Sequence, residues 1–592
     1  MKYHRRYSIF VPLLAILFGL VISLSGSAQA ATVQLTVDLA TDKGALYYGA
    51  SGFLYGLSKD GIPSANTITP LNPQVAAQKP EGGAQHPNGD AVNVMPYYKA
   101  AGGREIQIYM QDMYSDWPYQ QVEDPNDPSN KDYYIEDYGN KVNDIVDDVL
   151  ASPDPDFFTY VILNEPDQIW YWQYYFDPAT KQKLFDNWKE IYDIIKSKHP
   201  TARIAGPNFA HYDSTFYYDF LQWTRDNNAL PDVTTWHELG DDTLTDWYNH
   251  YNDYRAHESD LGISPREISI NEYARISGDL AIPGHLVQWM TRFENSKVDG
   301  SLAYWTDDGS LNNLVTPDNY NQVTGAWWLY KWYGEMTGNT VLVTPPNLNA
   351  EGLQGVASLD SSKKQARILL GGTSDDVNVV VQGFGSAPYF GSSVHAVVWE
   401  TGKTGLNGLL PSTGPVFKQE SDYSITGGQI TIPLTGLNSS SAYYIIVTPN
   451  TDLTSANNAN RYEAEYAYIS GNAAVTYGGN TSYSGTYFVE GYGSVDNAST
   501  RFSVVVPTNN FYNVRLRYAA GPYGSSPATR TTRMVLNGET LTDLSFPSTT
   551  DWNTWADHDV NVFLTAGINN ISFDAYTTDD EGALNIDYIE VT

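Results

Sequence analysis

The sequence predicts a multidomain protein: a (β/α)₈ TIM barrel, then an antiparallel β-sandwich, then a second β-sandwich of the jelly-roll type. Three observations predict it. Strand-like and helix-like runs alternate roughly eight times between Tyr47 and about Gly338, which suits a closed barrel better than an open doubly wound sheet. Helical periodicity then stops, and short alternating runs separated by Gly, Ser and Pro take over. Finally, a polar stretch rich in Asn, Ser and Thr at 451–460 precedes another all-β segment. The chain has 592 residues, too many for a single core. The expected division is a leader at 1–30, a barrel at 31–338, a sandwich at 339–450, a linker at 451–460 and a terminal module at 461–592.

The leader has a positive head (Lys2, Arg5, Arg6), an apolar run from Ile9 to Leu24 and a small-residue cleavage site at Ala28-Gln29-Ala30. That pattern is a secretory signal peptide. It implies an extracellular mature chain starting near Ala31, with no membrane attachment after cleavage. The formal charge of the whole chain is −34, which argues against nucleic acid or an anionic membrane as partner. Cysteine is absent, so neither disulfides nor thiol chemistry contribute. No glycine-rich dinucleotide loop follows the first strand, and no P-loop lysine motif occurs. Aromatics are abundant, with 45 Tyr, 20 Phe and 15 Trp. Many sit among polar residues, as in Trp170-Tyr171-Trp172-Gln173-Tyr174-Tyr175. Flat rings edged by hydrogen-bonding groups suit sugars.

Gly49 to Gly56 reads as the first barrel strand. Residues 57–92 read as long loops over the active face, in which the second strand has no clear signal. Glu105 to Met110 is the third strand, and an aromatic, acidic loop follows it. Together the loops at 57–99 and 113–134 point to an enclosed cleft. Asn140 to Leu150 has helical spacing. Phe157 to Leu163 then forms an apolar strand that runs into Asn164-Glu165-Pro166, and Pro166 cannot donate to a sheet ladder. A carboxylate above an apolar floor has its pKa raised, as a general acid requires. The plain alternative is a glutamate that merely begins a helix. Further strand–helix pairs follow, with strands at 202–207, 232–237, 267–271 and 301–305. Their tips carry Asn208, Trp236 and His237, Glu272, and Trp305. Trp236 should point away from the barrel axis and pack. Glu165 and Glu272 lie on tips three strands apart and would face each other across the mouth. Retaining glycosidases need two carboxyls about 5–5.5 Å apart, one acid and one nucleophile.

With those residues in view, the region resembles the clan A glycoside hydrolases, and among them family 39, whose barrel-plus-sandwich layout matches. The resemblance implies Glu165 as acid/base and Glu272 as nucleophile. It implies Asn164 as partner of the sugar 2-hydroxyl, Trp305 as floor of the −1 subsite, and His237 and Asn208 as site residues. The clan's His-x-Tyr on strand six is absent, because His237 is followed by Glu238-Leu239. The terminal module resembles carbohydrate-binding modules of families 35 and 6. It opens with Tyr462-Glu463-Ala464-Glu465 and closes with Asn585-Ile586-Asp587-Tyr588. That resemblance implies a structural Ca²⁺ on Glu463, Glu465 and Asp587, and a sugar site drawn from Tyr487, Trp555 (or Trp552) and Asn585. No cofactor is implied for chemistry, and the expected partner is a plant or microbial polysaccharide or oligosaccharide. Two other readings stay open: a glycan-binding adhesin on an inactive barrel, and metal-assisted hydrolysis through Glu165, Asp307 and Asp308.

Overall fold

The computed structural model describes residues 32–592 apart from 59–60, 64, 87–88, 116, 276–277, 304–308, 316–322, 363, 405–414, 450–460, 477–478, 485–487, 494–496, 507–508, 523–528, 566 and 576–582. The leader and linker therefore lie outside the described residues. So do Trp305, Asp307, Asp308 and Tyr487.

Strand β1 (Thr32–Ala45) precedes a closed parallel barrel of eight strands: β2 (Gly52–Leu54), β3 (Val75–Gln78), β4 (Glu105–Tyr109), β5 (Phe158–Val161), β6 (Arg203–Phe209), β7 (Val233–Glu238), β8 (Glu267–Tyr273) and β9 (Asp299–Leu302). Closure occurs where β2 pairs with β9 through Gly52–Ser301 and Phe53–Leu302. A side chain cannot fit at Gly52, since a Cβ there would lie 2.3 Å from the Gly300 carbonyl oxygen and 2.5 Å from that of Val75. Apart from the first residues of β6 and β8, the barrel strands are buried throughout. Helices cover the outer face while side chains fill the inner one, so these strands are near-continuous in apolar character instead of alternating. The second strand falls inside the stretch read as loop. Its sequence, Val-Ala-Ala-Gln, is too short and too weakly β-branched to announce itself.

The helices of the barrel are α1 (Ala65–Ile68), α2 (Ala91–Ala100), α3 (Tyr133–Ala151), α4 (Pro178–Lys198), α5 (Ser214–Asp226), α6 (Thr243–Asp260), α7 (Pro283–Ser296) and α8 (Gly325–Glu335). Two starts are legible in the residues. Asp177 caps α4 by accepting from the Ala179 amide, with Pro178 in the first turn. Asp213 caps α5 by accepting from the Phe216 amide at 2.9 Å. Helix α7 is buried on nearly all sides, polar residues such as Gln288, Arg292 and Glu294 included, because it is covered twice. Phe293 packs on Tyr273 of the barrel, while its other side meets β11 (Gln354–Asp360) and β12 (Gln365–Gly371) of the next domain.

That next domain departs from the expected layout. Residues 32–45, assigned by the sequence reading to the barrel, pair instead with β10 (Asn339–Thr344) and, in parallel, with β13 (Asp376–Gln382). With β14 (Ser393–Thr401), β15 (Val416–Ser424), β16 (Gln429–Leu434) and β17 (Ala442–Pro449) they form one nine-stranded sheet, in the order β15-β14-β17-β12-β11-β10-β1-β13-β16. Strands near both ends of that order, β14 and β16, place side chains in the same core as Leu35, Val37, Ile368 and Val379. The single sheet therefore folds over on itself. The register of β1 gives no local sign of which domain it joins, which is why the boundary was misplaced.

The terminal module, from Arg461, has two sheets of antiparallel strands, one of six and one of five. They close on a core that includes Val489, Phe502, Leu516, Phe546, Phe573 and Ile586. Among the described residues no helix is long and apolar enough to cross a membrane.

Candidate active site

Strand β5 ends at Val161, where its pairing with Tyr109 of β4 runs out. Glu165 therefore sits in the loop beyond the strand, not on its last residue. The Glu165 amide donates to the Asn208 carbonyl at 2.9 Å. Both residues are left-handed, with φ of 46° and 66°. For a glutamate this costs about 1–3 kcal/mol and persists only where surrounding contacts impose it. Asn208 lies at a register shift between β6 and β7, and a second shift between β7 and β8 brings His237 level with Glu272. Such irregularities turn side chains that a regular pleat would send elsewhere.

The result is a cluster of two carboxylates around one imidazole. His237 Nδ1 lies 3.1 Å from Glu165 Oε1 and 3.5 Å from Glu272 Oε2. One oxygen of each carboxylate and the ring nitrogen all fall within 4.8 Å of one another. Among the described residues this is the one group of acidic or histidine side chains that converges so closely. His237 is fully buried, Glu272 is 3% exposed, and Glu165 opens toward solvent. Burial pushes the Glu272 carboxyl up to about 8. His237 pulls it down, the charges of Glu165 and Asp112 add to the rise, and a hydrogen bond from Tyr109 opposes it. Burial alone would lower the His237 imidazole, but Glu272 and Glu165 outweigh it and the net shift is upward. The expected raised carboxyl thus falls on Glu272, because that residue is the more deeply enclosed.

Asn164 belongs to the same floor. It donates from Nδ2 to the Tyr119 hydroxyl at 3.2 Å, and its Oδ1 accepts from Asn208 Nδ2 at 2.9 Å. Its backbone amide donates to Gln111 Oε1 at 2.5 Å. The structure brings Asn164, Glu165, Asn208, His237 and Glu272 together.

Several residues were not foreseen. Tyr109, at the end of β4, is fully buried, and its hydroxyl donates to the Asn271 carbonyl at 3.3 Å, beside Glu272. The rule that strand tips carry chemistry could have found it. Asp112 is fully buried and accepts from Tyr55 and Tyr119 at 2.6 Å each. Burial raises its carboxyl to about 6 against the pull of those hydroxyls. Trp117 donates from Nε1 to Glu165 Oε2 at 3.1 Å. Asp112 lies in a 3₁₀ turn (Met110–Met113) just past β4 and Trp117 in the loop beyond it, and no periodic signal marks either.

Other expectations resolve into structure. Trp236 turns outward into a layer with Tyr212, Trp247 and Tyr254. Glu238 accepts from Trp236 Nε1 at 2.7 Å and lies 2.8 Å from His250 Nδ1, so it braces that layer. The aromatic run after Glu165 divides: Trp170, Tyr171 and Tyr174 are buried, whereas Trp172, Tyr175 and Phe176 are exposed.

In the module, Asn585 lines a cleft of about 230 Å³ with Asn480, Glu490, Tyr492 and Trp552. Trp555 is elsewhere, packed on Tyr483 and Phe488 and donating to the Thr481 carbonyl. Its alternative, Trp552, is the tryptophan in the cleft. Glu463 and Asp587 meet at one residue, Ser484. Its hydroxyl donates to Glu463 at 2.5 Å and its amide to Asp587 at 2.9 Å. Arg517 also pairs with Asp587, at 3.0 Å. Glu465 and Asp587 are buried, and burial raises the carboxyls of both Glu463 and Asp587.

Comparison with known proteins follows that geometry. The chain is 32% identical over 593 residues to the 3-O-alpha-D-galactosyl-alpha-L-arabinofuranosidase of Bifidobacterium longum subsp. longum, covering 90% of this chain and 51% of that protein. It is 34% identical over 471 residues to the 3-O-beta-L-arabinopyranosyl-alpha-L-arabinofuranosidase of Bifidobacterium pseudocatenulatum, covering 71% and 48%. The chain thus spans about half the length of these curated relatives. The solved structure of N2152 from Neocallimastix frontalis matches with a TM-score of 0.62 at 32% identity, over 71% of this chain and all of that one. A family 35 carbohydrate-binding module from Clostridium thermocellum is 31% identical over 22% of this chain and 95% of its own, with a whole-chain TM-score of 0.20. No family model matches.

Proposed function

We propose that this chain, which belongs to the same family as N2152 of Neocallimastix frontalis, is a secreted retaining glycoside hydrolase that cleaves α-L-arabinofuranosidic bonds in plant glycans. The observation that carries the reading is the Glu165–His237–Glu272 cluster at the barrel's C-terminal mouth, with the three groups within 4.8 Å. That spacing is well short of the roughly 6.5–9.5 Å between carboxyls at which an inverting site places its water, and it suits direct attack at the anomeric carbon. The sugar comes from the curated relatives, whose names both specify an arabinofuranoside carrying a further sugar at O-3. The −1 site is accordingly expected to take an arabinofuranosyl unit with a 3-O substituent.

Glu165 protonates the leaving oxygen and Glu272 attacks, forming a glycosyl–enzyme. Glu165 then takes a proton from the water that releases the product. Burial raises the Glu272 carboxyl, whereas the reaction needs the proton on Glu165. His237 Nδ1, at 3.1 and 3.5 Å from the two carboxylates, lies between them. Asn164 presents an amide fixed by Tyr119 and Asn208 beside the acid, which favours order at the sugar hydroxyls.

The terminal module is the glycan anchor, with the Asn585–Trp552 cleft as its binding site. Glu463, Glu465 and Asp587 would hold Ca²⁺. Burial raises the Glu463 and Asp587 carboxyls, a hard cation would relieve them, and the ion would tie the module's first strand to its last. It takes no part in bond cleavage. The test is product analysis: NMR should show arabinofuranosyl product released with its anomeric configuration retained. Inverted product, or no release by the active-site-intact chain, sinks the assignment.

A further inference from the structure

We infer that Trp117 is the specificity-determining residue on the leaving-group side of Glu165: its exposed ring is the platform on which the departing sugar stacks, and its N–H holds the acid's outer oxygen. The inference rests on the glycosidase reading above and adds a subsite to it.

Geometry points to it. A general acid must come within hydrogen-bond reach of the glycosidic oxygen. Oxygen Oε1 of Glu165 is turned inward to His237 at 3.1 Å. The other oxygen, Oε2, accepts from Trp117 Nε1 at 3.1 Å. A leaving sugar attached to an oxygen at that carboxylate is therefore a neighbour of the indole. Trp117 is 53% exposed, and among the described residues it makes no contact with another aromatic ring, so a face is open for a sugar's C–H surface. Its segment is nevertheless anchored. Tyr119, two residues on, donates to Asp112 at 2.6 Å and accepts at its carbonyl from Trp170 Nε1 at 2.6 Å. A large apolar ring so exposed, yet aimed by a hydrogen bond at the acid, is explained by a ligand that covers it.

The experiment uses the full chain, a polysaccharide from which the wild type releases sugar, and the glycosyl fluoride of that sugar, whose leaving group has no ring to stack. Trp117→Ala should lower kcat/KM on the polysaccharide about tenfold, mainly through KM, and change the fluoride reaction by less than about twofold. Trp117→Phe, which keeps a ring to stack on, should keep most of the polysaccharide activity. Equal losses on both substrates, or no loss on either, overturn the inference. So does a tenfold loss on the polysaccharide in Trp117→Phe, which decides the matter if the alanine variant fails to fold. A wild-type chain inactive on both substrates removes the glycosidase reading and this subsite with it.

Discussion

Glu272 and Asp279 are buried carboxylates seven residues apart along the chain, and the molecule treats them in opposite ways. Asp279 is saturated with donors. Arg275 reaches it from Nη2 at 2.8 Å and from its backbone amide at 2.9 Å, and Trp289 donates at 2.9 Å. Burial pushes its carboxyl up, but hydrogen bonds from His285, Arg275 and Trp289 outweigh this and hold it far below the ordinary range. Arg275 also pairs with Glu351 at 2.6 Å, bracing the barrel against the second domain. Glu272 has no guanidinium. Its neighbours are an imidazole shared with a second glutamate, and a tyrosine hydroxyl. The first acid is held as a permanent anion and serves the fold. The second is left able to gain and lose a proton, and that is the property a reacting group needs.

The comparison breaks most decisively on activity. Glu272→Ala should lower kcat by at least about 10⁴-fold, with folding and glycan retention by the module unchanged. Substantial turnover in that variant would place the nucleophile elsewhere. Glu165→Gln should reduce turnover of natural glycosides about 10²–10⁴-fold and spare substrates with activated aryl leaving groups, which need little protonation. Equal losses on both would deny Glu165 the acid's part.

Stability separates the two acids next. Removing the charge at Asp279 leaves Arg275 with one carboxylate, Glu351, in place of two and weakens the bond from Trp289, so Asp279→Asn should cost about 3 kcal/mol in thermal or denaturant unfolding. At Glu272 the sign reverses. Its folded pKa is raised, so its contribution is present below the unfolded value and is lost as pH climbs from about 4.5 toward about 8. Glu272→Gln should therefore be more stable than wild type at pH 8, by about 1–2 kcal/mol, with the gap closing toward pH 4.5. Melting curves across that range read it directly, and a gap that widens on acidification would reverse the assigned shift. The smallest effect lies farthest from the chemistry. Asn585→Ala should weaken retention on polysaccharide about tenfold, measured by affinity electrophoresis, while rates on small glycosides stay constant.

How much of this was legible beforehand differs by residue. Glu165 and Glu272 announced themselves because each ends or follows an apolar run with strand character, and the barrel rule then says where such residues meet. Asn164, Asn208 and His237 followed from the same rule, as did the outward packing of Trp236. The second strand was missed because four small or polar residues carry no periodic signal. Trp555 was preferred over Trp552 because nothing in a loop's sequence says which of two nearby rings faces the cleft. Tyr119 and Trp117 could not be found, since they lie on irregular backbone whose course is set by contacts with distant segments, and Asp112 lies in a single 3₁₀ turn too short to carry a periodic signal.

The amino-acid order thus determined the succession of strands and helices, the switch to all-β domains, and the two glutamates. Those depend on local periodicity and on residues that stop a strand, and both are written in neighbouring positions. Tertiary structure alone decided that β1 joins the second domain, that two register shifts aim His237 and Glu272 at one point, and that Glu272 is the acid burial protonates. Each of these depends on which remote groups surround a side chain. Desolvation and charge act through space and are not encoded in the spacing along a chain.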